Sequence, residues 1–142
     1  MAVPSDPKTT VQTFLTQLQS LCSHTYDTPI LPLLHLTSAT LTPNPTITLT
    51  LTIPLTLCNG AGNLHGGATA TILDLSTSLA LALVRRKGWW EWTGVSRTLD
   101  VVFLVAVGVG EEVVVEGGVV RVGRRLGEFL RGEVLFLFWG EN

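Results

Sequence analysis

The stretch that decides the fold is Asn59–Lys87, NGAGNLHGGATATILDLSTSLALALVRRK. A glycine-broken loop leads to His65-Gly66-Gly67, and a helix-length apolar run follows with one carboxylate, Asp74. From Thr28 to Leu73 the chain contains no Lys, Arg, Asp or Glu. A carboxylate in such surroundings is costly to bury, because desolvation disfavours its charged form. The run reads as a central helix over about 65–87, closed by Arg85, Arg86 and Lys87 at the negative end of its dipole and by Gly88. On a helical wheel Gly67, Thr71, Asp74, Ser78, Leu81 and Arg85 share one stripe, while Ile72, Leu79 and Leu83 lie opposite.

The rest of the chain reads as cover for this helix. Ser5-Asp6-Pro7 is a helix start, and Val11, Phe14, Leu15, Leu18 and Leu21 follow at helical spacing, giving a helix over about 7–22. Residues 33–42 read as a strand, with a turn at Thr42-Pro43-Asn44-Pro45. In TITLTLTI, residues 46–53, Thr alternates with Ile47, Leu49, Leu51 and Ile53, which is the period of a half-buried strand. Leu55 and Leu57 extend the inward phase past Pro54. Beyond Trp89, Trp90 and Trp92, the stretches 95–107, 111–122 and 125–137 read as three strands rich in Val, Leu and Phe. A helix apolar nearly all round must be covered nearly all round. The expected architecture is therefore α+β, one curved antiparallel sheet curling about the helix, with pressure to dimerise.

Bulk properties narrow the function. With 142 residues the chain is expected to form a single domain. It is 46% hydrophobic and only 14% charged, so much of its surface should meet a sheet or another subunit. A net charge of −2 gives no reason to expect nucleic acid, although Arg85-Arg86-Lys87 and the basic residues between Arg121 and Arg131 leave room for a local anionic contact. Cys22 and Cys58 make neither a disulfide framework nor a CxxC metal pair. No metal and no cofactor is expected. The first ten residues lack the features of a signal or transit peptide, and the helix holds Asp74 among its apolar residues, so a cytoplasmic protein without a membrane span is expected, with a mitochondrial location as the alternative.

Chemically, the helix start is the place to look. Its first amides lack intrahelical partners at the positive dipole end, and Gly66 and Gly67 let a carbonyl oxygen approach them. Such donors stabilise an oxyanion in acyl transfer, Asn59 adds a side-chain amide, and Asp74 offers a base or nucleophile. Asp74 lies about 12 Å along the axis from Gly66, at 1.5 Å per residue, so one substrate carbonyl does not meet both within one chain. Plainer readings stand beside each of these. His65 serves as a local hydrogen-bonding residue, the glycines as packing devices, Asp74 as a structural acceptor, Ser96 as a polar strand residue, and the Trp cluster as packing.

The combination Asn59-x5-His65-Gly66-Gly67-x6-Asp74, followed by GVSRTLDVVF at 94–103, resembles the hotdog-fold acyl-CoA thioesterases of the PaaI/THEM2-like thioesterase superfamily group. The resemblance implies a hotdog fold, hydrolysis of an acyl-CoA to a free acid and CoA, and homodimers or homotetramers with active sites shared between chains. It makes Asp74 the base or nucleophile. The Gly66 amide and Asn59 polarise the thioester carbonyl, His65 orients the loop, and Ser96 stands near the acid or its water. Gly67, Thr71 and Ser78, on the same stripe, become substrate-binding candidates. The chain departs from the group at Phe103–Gly110, where relatives carry an Arg-Pro segment, and at its end, RGEVLFLFWGEN, where the C-terminal edge is altered or shortened. Two other classes compete: a hotdog hydratase or dehydratase, and a non-catalytic acyl-CoA-binding or oligomeric hotdog protein.

Overall fold

The computed structural model describes residues 6–92, 94–123 and 127–135, the last stretch in its backbone only. Helix α1 spans Pro7–Leu21. Asp6 caps it by accepting the Thr9 amide at 3.1 Å, and Pro7 takes the first helical position, where its missing N–H is no loss. Val11, Phe14 and Leu15, spaced three and four apart, are its buried face.

Strand β1 (His35–Thr40) follows a single 3₁₀ turn at Leu31–Leu33 and pairs antiparallel with β2 (Thr46–Thr52). In β2 the alternation is realised as expected: Ile47, Leu49 and Leu51 are buried, while the intervening threonines are half-buried or exposed. The inward phase does not continue through Leu55. The chain turns into a 3₁₀ turn after Pro54, which leaves Leu55 exposed and Leu57 buried.

Helix α2 spans Gly66–Ala80 and tightens into a 3₁₀ turn at Leu81–Leu83, so it ends well before Lys87. The chain then folds back in a tight hairpin, with Arg86 and Trp89 exchanging backbone hydrogen bonds at 3.0 and 2.8 Å. Strand β3 (Glu112–Val122) pairs antiparallel with β2 and with β4 (Gly127–Leu135), giving the order β1-β2-β3-β4. The residues expected at 125–126 and 136–137 of the last strand lie outside the described residues.

Leu49 faces Val115 and Leu51 faces Val113 in the β2–β3 ladder, so both strands present one aliphatic face to α2. Each such side chain contributes about 1.5–3 kcal/mol on full burial. Beneath the helix Ile47 pairs with Gly117, and a Cβ on Gly117 would sit 2.8 Å from the Ser76 carbonyl oxygen. The absent side chain lets helix and sheet approach this closely. Ser76, fully buried, returns its hydroxyl proton to the Ile72 carbonyl at 2.6 Å. Among the described residues, Gly66–Leu83 is the one helical stretch long and apolar enough to cross a membrane, but its packing on the sheet makes it the core helix of this fold.

One expected element is replaced. Residues 95–107 form no strand: they make no ladder with β1–β4 and run along the flank of α2 instead. Ser96 meets Asp74, Phe103 meets Gly66, and the Val107 carbonyl accepts the Leu64 amide at 2.7 Å. The run Val101–Val107 is apolar without a period of two: Val107 at its end is buried, while Val102 and Leu104 remain more than three-quarters exposed.

Candidate active site

The loop before α2 is shaped by its own side chains. The Asn59 Oδ1 accepts the amides of Ala61 at 2.9 Å and Asn63 at 3.2 Å, while the Asn59 backbone closes the turn against Asn63 and Gly62. With Oδ1 so engaged, the Nδ2 group has no acceptor among the described residues. The loop is tied to 107–109 through Leu64 and Val109, which fixes where the helix begins.

His65 is the N-cap of α2. Its Nδ1 accepts the Gly67 amide at 2.9 Å, so the ring proton sits on Nε2 and points outward as a donor. The two glycines differ in what they permit. A Cβ on Gly67 would come within 3.1 Å of His65 Nδ1 and crowd the cap. A Cβ on Gly66 would meet only the Phe103 ring, at 3.5 Å, an ordinary contact. Packing within the chain therefore does not demand glycine at 66, although alanine suits a helix better. The Gly66 amide has no acceptor among the described residues, as expected for a first-turn donor.

Asp74 lies one face round and two turns on. It is half-buried and accepts a hydrogen bond from the Ser96 hydroxyl at Oδ1. Thr71 donates to the Gly67 carbonyl at 2.9 Å and Thr77 to the Leu73 and Asp74 carbonyls, so these hydroxyls serve the helix first. Ser78 is half-buried on the same side.

The predicted residues thus gather in two groups. Asn59, His65, Gly66 and Gly67 form a cluster of donors at the helix start, and Asp74 with Ser96 forms an acid and its hydroxyl partner. Eight residues of helix, about 12 Å of axis, separate them. Phe103 packs against Gly66 and was not singled out by the sequence. It lies inside a uniformly apolar run, where only contact with Gly66 distinguishes it from Val102 or Leu104. Among the described residues, no three of His, Cys, Asp and Glu come together to hold a metal.

With the sheet, the central helix and this loop in place, comparison with solved structures is direct. The zebrafish thioesterase superfamily member 2 superposes with a TM-score of 0.70 at 25% identity, over 87% of this chain and 82% of that one. The fold is that of the hotdog thioesterases. The thioesterase superfamily member 2 from Mus musculus (TM-score 0.67, 22% identity, 87% of this chain and 80% of that one) shares it. So does the Escherichia coli PaaI protein (0.57, 16% identity, 84% and 80%). Residues 61–130, from the loop through the start of β4, match the thioesterase superfamily. The acyl-coenzyme A thioesterase 13 proteins of Mus musculus and Homo sapiens are 32% identical over 68 residues, 48% of this chain and 46% of theirs. The chain spans about half the length of these curated relatives.

Proposed function

We propose that the protein hydrolyses an acyl-CoA thioester to a free acid and CoA, working as a two-fold assembly whose active sites are shared between chains. The observation that carries the reading is the pairing of Ser96 with Asp74 on the open side of α2, about 12 Å of axis from a first-turn glycine whose amide has no acceptor among the described residues. The named relatives support the substrate class: they are acyl-coenzyme A thioesterases.

In this reading the thioester carbonyl oxygen sits against the Gly66 amide and Asn59 Nδ2 of one chain, which favour the negative charge that develops on it. Asp74 of the other chain acts on the carbonyl carbon. As a general base it takes a proton from water while the water oxygen bonds to carbon, the C–S bond breaks, and the proton passes to the CoA sulfur. As a nucleophile its oxygen bonds to the carbonyl carbon while the C–S bond breaks and CoA leaves as the thiolate; water then opens the mixed anhydride to the free acid, restores the carboxylate and supplies the proton that the thiolate takes. Ser96 holds the carboxylate in position in either case, and His65 fixes the helix start that presents the amide. A second copy supplies what the 12 Å gap withholds. It also gives the exposed Val95, Val102 and Leu104 something to cover them. No metal or redox cofactor has a role, and Thr71 and Ser78 line the path of the substrate along the helix.

The test is CoA release across short, long and aryl acyl-CoAs by wild type and Asp74→Ala. Turnover by the wild type, lost in a folded Asp74→Ala protein, is the expected result. Equal turnover by both sinks the mechanism, and no turnover of any acyl-CoA by the wild type sinks the function.

A further inference from the structure

At the far end of α2 the chain builds a hook with a cleft that the hydrolytic site does not use. Arg85, Arg86, Lys87, Glu91 and Trp92, with Gln17 from α1, line a cavity of about 390 Å³, a size in the range of small-molecule sites. The hook is constructed rather than slack. Arg85 lies 3.9 Å over the buried Phe14 ring and donates from Nη1 to the Glu91 carbonyl at 3.0 Å. Burial lowers the Arg85 pKa and the Glu91 carboxylate opposes that shift, leaving a charged guanidinium. Arg86 and Trp89 close the hairpin, Lys87-Gly88 form its tip, and Gly88 supplies the left-handed conformation (φ 74°). The Gly88 amide donates to the Glu91 carboxylate at 3.3 Å, which orders the one acid in the cleft.

Trp90 is the sharper signal. It is the one positive-φ residue other than glycine among the described residues, at 54°, a conformation that a bulky side chain rarely adopts. Its indole donates to the Gly123 carbonyl at 2.9 Å and its ring lies against Gly94, so the sheet end holds the strained hook in place. Backbone strain of this kind is kept where the geometry serves a purpose. The helical turns run on to Leu83 and Arg85 stands at their end, but Arg86 and Lys87 lie in the hairpin beyond it. Arg86 and Lys87 are exposed, and Trp92 beside them is 59% exposed.

We propose that this cleft binds a phosphorylated nucleotide, with Arg86 and Lys87 on the phosphates and Trp92 stacked on the base. Cations and an exposed flat aromatic at one small cleft match that ligand. A nucleic-acid strand is less well matched, because the chain carries a net charge of −2. The source is CoA, which bears a phosphorylated adenosine at the end remote from its sulfur; that choice rests on the acyl-CoA reading. The cleft begins just past the last helical turn at Leu83, nine residues and roughly 14 Å of axis beyond Asp74, a span that a long ligand with a flexible arm bridges.

The experiment titrates the full chain with adenosine 3′,5′-bisphosphate, following tryptophan fluorescence and calorimetry, with adenosine and inorganic phosphate as the partial ligands. The bisphosphate should bind at least roughly tenfold tighter than either fragment. The Arg86→Ala/Lys87→Ala double variant and Trp92→Ala should each lose about tenfold, the size of a lost charge-assisted bond or stack. With CoA as the source, KM for acyl-CoA rises in these variants and kcat does not move. Binding with an unmoved KM assigns the same cleft to a free nucleotide and overturns CoA as its source. Bisphosphate binding no tighter than phosphate, or unchanged in the double variant, overturns the cleft. A wild type that releases CoA yet ignores the bisphosphate refutes this inference and leaves the hydrolase standing. A chain that binds the bisphosphate but hydrolyses no acyl-CoA does the reverse.

Discussion

The two sides of helix α2 are built to opposite rules. Towards the sheet, Ile72, Ser76 and Leu79 are sealed, and Gly117 of β3 comes so close that a single methyl would strike the Ser76 carbonyl at 2.8 Å. Away from the sheet, Thr71, Asp74 and Ser78 are only half-covered, Ser96 on the flanking segment is exposed, and Gly66 has room for the methyl it lacks. Gly117 is glycine because the fold requires it. Gly66 is glycine with no such requirement inside the chain, which directs attention to a ligand or a partner at that position. The same helix thus carries the core on one side and the candidate site on the other.

Substitutions on each side sharpen this contrast. On the open side, Asp74→Asn should remove hydrolysis by a factor of about 10²–10⁴, the usual contribution of a positioned acid or base, with little change in thermal stability. Steady-state CoA release and a melting curve on the same preparation check both halves. On the closed side, Gly117→Ala should cost about 1–3 kcal/mol, because two backbones must part to admit the methyl. Denaturant unfolding measures that, and a midpoint equal to wild type would show that the helix is not seated as described. His65→Ala removes the cap on the Gly67 amide and should cost about 0.5–2 kcal/mol. Asn at the same position should restore most of the stability. The smallest stability effect is expected for Gly66→Ala, within about 1 kcal/mol and in the stabilising direction, since Ala exceeds Gly as a helix former. Its activity should nonetheless fall. A Gly66→Ala protein that is less stable than wild type would place this glycine with Gly117.

Much of this was legible in the sequence, and the reasons are local. The Thr/Ile/Leu alternation in β2 fixes which side chains face inward, and Asp6-Pro7 marks the start of α1 within a residue. The spacing from Asn59 to Asp74 pointed to the candidate site. The segment 95–107 has the composition of a strand, whereas a strand also has to pair, and this run makes no ladder with β1–β4. The end of α2 was placed seven residues too late, against Ala80, because the cations at 85–87 looked like a dipole partner. They belong instead to a hairpin set by Arg86 and Trp89, a tertiary arrangement with no periodic signature. Phe103 over Gly66 joins residues thirty-seven positions apart, and nothing in a uniformly apolar run singles it out.

The central claim is that donors at the helix start of one chain work with Asp74 of another, and subunit mixing tests it most directly. Asp74→Asn and Gly66→Val, the latter filling the approach to the amide, are each expected to be inactive alone. Mixed under conditions of subunit exchange, they should recover roughly a quarter of wild-type CoA release. Random two-fold pairing makes half the dimers mixed, each with one intact site. No recovery in a mixture shown by mass spectrometry to have exchanged would contradict the shared site and return both groups to a single chain.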